Sequence, residues 1–350
     1  MAFYGRPIVQ SYDQPRDKII DEQRFAYPIY VVFLLAPTVQ LPFATVEAWA
    51  LPLLMTLTAL TVMVWTRVLK WHASWASVAA IVFFVLGTPQ LVQGLRMRQL
   101  GLLVSCLLAL ATWCLIQNYL TAAGVLLAVS TIKPQMVALP IAWFLIWAAG
   151  NFRERWRFLA AFGGTLSVIA AAGEWLDPGW IRDFVAGMAA YRKYVRFPPL
   201  SEVFLGTTLG TVASGAIVFG LLVFAWKNRQ ARSESVEFTS TLSAFLLGAA
   251  LALPLLRPFN QVLLLLPALM ILRDWKRLPQ PSRGVCTLVL AWPWITELAL
   301  LIVPPNLRSS SRWVLAPSSL VPLIPLLLPI LLITRRIPVS AASDQLQLAH

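Results

Sequence analysis

Apolar residues run in long blocks along this chain, separated by short polar stretches, and the blocks lie near 26–42, 44–66, 73–90, 99–116, 119–132, 134–149, 158–176, 204–226, 238–256, 260–272, 284–303 and 313–333. A helix crosses the hydrocarbon of a bilayer in about 20 residues, with a range of about 17 to 25. Most blocks meet that length. The shorter ones, 119–132, 134–149 and 260–272, predict broken or tilted helices around a cavity. The pattern therefore predicts an all-α polytopic membrane protein with about eleven spans. The first block, "RFAYPIYVVFLLAPTVQLPF", opens at Tyr27-Pro28 and contains Pro37 and Pro42. Proline removes a backbone donor and restricts the residue before it. This block reads either as a span or as a re-entrant segment.

Composition agrees with a lipid solvent. Hydrophobic residues make up 59% of the chain and charged residues 12%, against about 25% charged in soluble domains, and mean hydropathy is +0.72. The formal charge of +13 does not point to nucleic acid, because the basic residues fall in short clusters between apolar blocks rather than in a groove-reading stripe. Clusters at 151–158, 227–232, 273–283 and 334–336 lie an even number of blocks apart, as cytoplasmic loops do under the positive-inside rule. The loops at 91–98, 132–134, 176–203, 257–259 and 304–312 then face outward, and the side of residues 1–25 stays open. Cys106, Cys114 and Cys286 sit inside apolar blocks, so they read as packing residues and not as a disulfide or zinc framework. The opening "MAFYGRPIVQSYDQ" has no basic segment followed by an apolar one, so it does not read as a signal peptide.

The outward loops break the charge rule. "GLRMRQLG" carries Arg96, Arg98 and Gln99, "STIKPQ" carries Lys133, and "LLRPFNQV" carries Arg257, Asn260 and Gln261. Cations at membrane depth are costly and find partners. An anionic lipid phosphate serves as one, and simple snorkelling to the interface is the alternative. In the longest outer loop Trp180, Phe184, Met188 and Tyr191 recur at helical spacing, which predicts an amphipathic interfacial helix. Asp177 and Asp183 lie in the same loop, where an Asp beside Pro-Gly reads first as a turn or cap residue.

"YGRP", "FAYPIYVVFLLAPTVQLPF", the Gln-Leu-Gly at 99–101 and "AAGVLLAVSTIKPQ", in that order, resemble glycosyltransferase family 87, the polyprenyl-phosphate-mannose-dependent mannosyltransferase-like membrane proteins of the GT-C class. The likeness covers roughly residues 4–150 and is most specific at Lys133-Pro134. It implies a GT-C-like bundle in a bacterial plasma membrane, a polyprenyl-phosphate sugar donor, a glycolipid or glycan acceptor, and no cofactor or metal. Under it, Arg96, Arg98, Gln99, Lys133 and Arg257 become candidates for binding the donor phosphate. Family members carry an essential Asp in a loop before "YGRP", and no position here matches it, so the resemblance assigns no catalytic carboxylate. Asp13, Asp17, Asp21 and Asp177 are the weak candidates. The first three are spaced by four residues, which equally describes a solvated helix face. Residues 1–25 accordingly read as a loop remnant, 26–336 as the transmembrane domain and 337–350 as a polar tail. The expectation is a transferase scaffold that is weak or inert as read. A lipid-linked-sugar transporter and a non-catalytic scaffold stay as alternatives.

Overall fold

The computed structural model describes residues 27–194, 198–253 and 258–302, and within them every regular element is helical. The first apolar block does not form one helix. Its prolines break it into α1 (Val31–Leu35), a 3-10 turn at Ala36–Thr38, and α2 (Phe43–Val68), which starts directly after Pro42. Residues 26–42 are thus not a simple span. The block at 73–90 is also divided: α3 (Trp75–Leu86) is capped by the Ser74 side chain and turns by 67° into α4 (Pro89–Arg96). Proline in the first turn suits α4, since its missing donor would be unpaired there anyway. Part of the expected outer loop at 91–98 is therefore helix.

The next segments follow the sequence pattern closely. They are α5 (Gly101–Ile116), α6 (Leu120–Ser130), α7 (Pro134–Gly150), α8 (Phe152–Leu176), α9 (Trp180–Tyr194), α10 (Leu200–Asn228), α11 (Val236–Ala252), α12 (Leu265–Arg273) and α13 (Gln280–Ile302). Among the described residues, α2, α8 and α10 are long and apolar enough to cross a membrane, and the bent α3–α4 pair has the length and composition of a broken span or a re-entrant loop. Shorter apolar helices, α5, α6, α7 and α11, pack among them. Short helices leave polar backbone ends at membrane depth, which is tolerated only where protein or a cavity surrounds them.

Two close approaches organise the bundle. A Cβ added at Gly124 of α6 would lie 2.5 Å from the Phe158 carbonyl oxygen of α8, so these helices meet backbone to backbone, as small residues permit in membranes. At the far end of α7 the aromatic side chains of Trp143, Phe144, Trp147, Phe158 and Phe238 interlock with ring centroids 5.3 to 6.3 Å apart. That cluster is the centre of the core.

The loop at 176–203 holds the expected amphipathic helix, α9. Trp180 is buried, Phe184 and Met188 are half-buried, and Ile181 and Val185 are exposed. Trp180 meets Tyr30 edge-on at 5.7 Å, and the Tyr30 hydroxyl donates to the Thr131 carbonyl at 3.0 Å. The helix is thereby tied to the α6–α7 turn. Cys106, Cys114 and Cys286 are buried free thiols, as packing residues should be.

Candidate functional site

The α6–α7 turn brings a lysine into the interior. Lys133 is the residue immediately before α7, is followed by Pro134, and is only 4% exposed. Its Nζ donates to Asn260 Oδ1 at 3.0 Å and to Gln99 Oε1 at 3.4 Å, and it lies 4.9 Å from the centre of the Phe259 ring. Three chain segments remote in sequence thus converge on one ammonium group. Gly101, the first residue of α5, makes room for it: a Cβ there would lie 3.3 Å from Nζ and 3.1 Å from Met136 Sδ.

The electrostatics of this position are unusual. A helix N-terminus carries roughly half a positive charge and orphan N–H groups. Lys133 stands at the N-terminus of α7 and against the first turn of α5, so a full cation is added to two partial ones. Helix ends of that sign attract anions. The arrangement is suited to a phosphate or carboxylate and unsuited to a cationic ligand.

A cavity of about 490 Å³ adjoins it, formed by α3, α4, the 3-10 turn Pro258–Leu264, α12 and α13. Phe84, Leu91, Leu265, Leu272 and Pro293 make its wall apolar, and Phe259 lines it as well as underlying Lys133. Thr88, Gln90 and Gln261 are its polar members, and the Gln261 Nε2 is buried without a hydrogen-bond partner among the described residues. An apolar cavity of this volume beside a buried cation has room for part of an apolar tail with an anionic head.

The chain matches the profile of glycosyltransferase family 87 over residues 25–254, about two thirds of its 350 residues. The chain belongs to glycosyltransferase family 87. No curated protein and no solved structure matches it. Membership of family 87 agrees with the apolar helices in making it an integral membrane protein of the glycosyltransferase class.

The candidate residues of this family 87 chain fall into three groups. Gln99 and Lys133 touch, and Arg98 is the neighbour of Gln99; its guanidinium donates to the carbonyls of Leu95 at 2.7 Å and Arg96 at 3.3 Å and lies 3.7 Å from Glu47. Arg96 ends α4 with its side chain exposed, and its backbone carbonyl accepts from the Arg98 guanidinium. Asp177 stands apart in the α8–α9 turn, half-buried, where its backbone closes α8 and starts α9 as a turn residue does. Asp13, Asp17, Asp21 and Arg257 lie outside the described residues.

Phe259, Asn260 and Glu47 belong to this group of contacts without having been singled out as site residues in the sequence. Asn260 lay in plain view beside Arg257, but nothing local ties it to a lysine 127 positions away. Glu47 did carry a signal. It is the one charged residue between Arg24 and Arg67, and an isolated acid in an apolar helix is a functional candidate by default.

Proposed function

We propose that this chain transfers a hexose, mannose by resemblance, from a polyprenyl-phosphate donor to a glycolipid or glycan acceptor at the outer face of a bacterial plasma membrane. The observation that carries the reading is Lys133, a buried cation at two helix N-termini beside a cavity of about 490 Å³ with an apolar wall. The donor phosphate binds at Lys133, Gln99 and Asn260, with Arg98, the chain neighbour of Gln99, adding positive charge; Arg257, outside the described residues, stays a candidate by sequence alone. Its first isoprene units occupy the cavity, and the sugar projects to the aqueous side. Breaking the bond from sugar to phosphate leaves a second negative charge on the phosphate. Fixed positive groups aimed at that charge lower the barrier.

The donor class is tested by supplying the purified chain with radiolabelled hexose in two forms. Polyprenyl-phosphate-hexose is expected to bind with measurable affinity, and a nucleotide-hexose is not, because a soluble diphosphate has no apolar tail for the cavity. Binding of the nucleotide sugar in preference to the lipid form would reverse the assignment. Sidedness is tested separately. With the basic clusters at 151–158, 227–232, 273–283 and 334–336 cytoplasmic, cysteines placed at Ser201 and Ser340 are expected to react with an impermeant thiol reagent from opposite faces. Labelling of both from one face rejects the orientation.

A further inference from the structure

Arg98 combines three features that ordinary surface arginines lack. Its backbone has a φ of 50°, in the left-handed region, which costs a side chain about 1 kcal/mol or more and which glycine adopts freely. Its Nε is buried with no hydrogen-bond partner among the described residues. Its guanidinium faces Glu47 Oε1 at 3.7 Å, with the two side chains 31% and 53% exposed. Strain kept at a site that a less demanding residue would relieve is a pointer to function.

The placement of charge sharpens that pointer. From residue 25 to residue 152, setting aside Arg67 and Lys70 where α2 ends, the charged residues are Glu47, Arg96, Arg98 and Lys133. Three of these four belong to one continuous set of contacts: Glu47 to Arg98, Arg98 by chain to Gln99, and Gln99 to Lys133. Half of the six charged residues in this apolar stretch are thus gathered in one set of contacts. Within that set Glu47 is the only carboxylate. It is also the half-exposed member, and Lys133 is the buried one.

From this we infer that Glu47 is the carboxylate that accepts the acceptor's proton, and that Arg98 is the positioning residue that holds it. The inference rests on the donor reading proposed above. In the step, the acceptor hydroxyl oxygen forms its bond to the anomeric carbon as its proton passes to Glu47. The bond from that carbon to the phosphate oxygen breaks, and its electron pair leaves with the phosphate. Lys133 and the N-termini of α5 and α7 stand where the added charge appears. An exposed carboxylate suits a polar acceptor arriving from water, and a buried cation suits a lipid phosphate. Arg98, 3.7 Å from Glu47 Oε1, holds that carboxylate in place.

The test uses the full chain in membrane vesicles with sugar-labelled polyprenyl-phosphate-mannose as donor and total membrane glycolipid as acceptor, with donor binding and transfer measured on the same samples. E47Q is expected to lower transfer by about 10² to 10⁴, the usual worth of a general base, with donor affinity within about threefold of the parent chain. Glu47→Asp, which withdraws the carboxylate by one methylene, is expected to fall between. R98G relieves the backbone but removes the donor to the Leu95 and Arg96 carbonyls, so it is expected to melt within a few degrees of the parent and yet to lose transfer without losing donor affinity. R98K is expected to recover part of it, which a purely structural arginine would not require. Transfer by E47Q within threefold of the parent overturns the inference, and so does a parent chain that binds donor and transfers nothing. A parent chain that does not bind the donor at all fails the donor reading instead.

Discussion

Replacing Lys133 by methionine is expected to weaken binding of a polyprenyl-phosphate sugar about 10- to 100-fold while leaving the helix bundle folded. The size follows from the loss of one charge-assisted contact, about 1.5–3 kcal/mol. The survival of the fold follows from position. A cation at the N-termini of α5 and α7 opposes both helix dipoles, and methionine fills nearly the same volume without that opposition. Gln99 and Asn260 lose a donor in the exchange, which offsets the gain. Melting temperature is thus expected to move by a few degrees at most, and affinity by far more. A lysine that only snorkels predicts the reverse, with unchanged affinity. Equilibrium binding of labelled donor, read beside a thermal melt of the same preparation, separates the two.

Gly101→Ala probes the same geometry without removing any charge. The added methyl would stand 3.3 Å from Lys133 Nζ and 3.1 Å from Met136 Sδ, and both are ends of flexible side chains. The helix can keep its path while the ammonium group shifts. Donor affinity is therefore expected to fall by less than in Lys133→Met, with little change in melting.

The parts of this arrangement that were legible in the sequence were those written in local pattern. Apolar blocks bounded by Lys133-Pro134 gave α6, the turn and α7 to within a few residues, because block length and a proline in the first helical turn are local properties. Lys133 itself was visible as a cation outside the positive clusters. Less legible were the segments in which prolines compete with hydropathy. Residues 26–42 have the hydropathy of a span, yet Pro37 and Pro42 leave only α1 and a 3-10 turn. The 67° bend between α3 and α4 was equally hidden inside one apolar block. Least legible were contacts between distant segments, since no property of "RPFNQV" says that Asn260 will meet Lys133. Glu47 is a different case: a solitary acid in an apolar block is a local signal, but its partner Arg98 comes from a segment 51 positions away.

Arg155 shows how one sequence signal can cover two physical roles, and its replacement is expected to have the largest effect on stability. In the sequence it belongs to the basic cluster "NFRERWRF" and serves as a topology marker. In the structure it is 7% exposed; Nη1 donates to the carbonyls of Trp147 and of Arg229, the latter at 2.8 Å, and Nη2 donates to the Ala231 carbonyl at 3.0 Å. Its guanidinium also stacks 4.0 Å from the Trp147 ring centre, and the Trp147 indole N–H donates to the same Ala231 carbonyl at 2.8 Å. Trp147 is in the last turn of α7 and Arg229 closes α10, so one planar cation satisfies the orphan carbonyls at two helix C-termini and opposes their negative dipole ends. The contrast with Lys133 is one of sign: Arg155 stands where helix ends favour a cation, so the fold itself accounts for it. Arg155→Met is expected to cost about 3–5 kcal/mol, because the Trp147 and Arg229 carbonyls lose this donor together and the Ala231 carbonyl is left with the Trp147 indole N–H. Arg155→Lys is expected to recover only a minor part of that, since a single ammonium group does not reproduce the fork that reaches three carbonyls from two segments. Thermal melting in detergent and the yield of chain inserted in membranes measure the loss. A lysine variant as stable as the parent chain would reduce Arg155 to the topology signal that the sequence alone suggested.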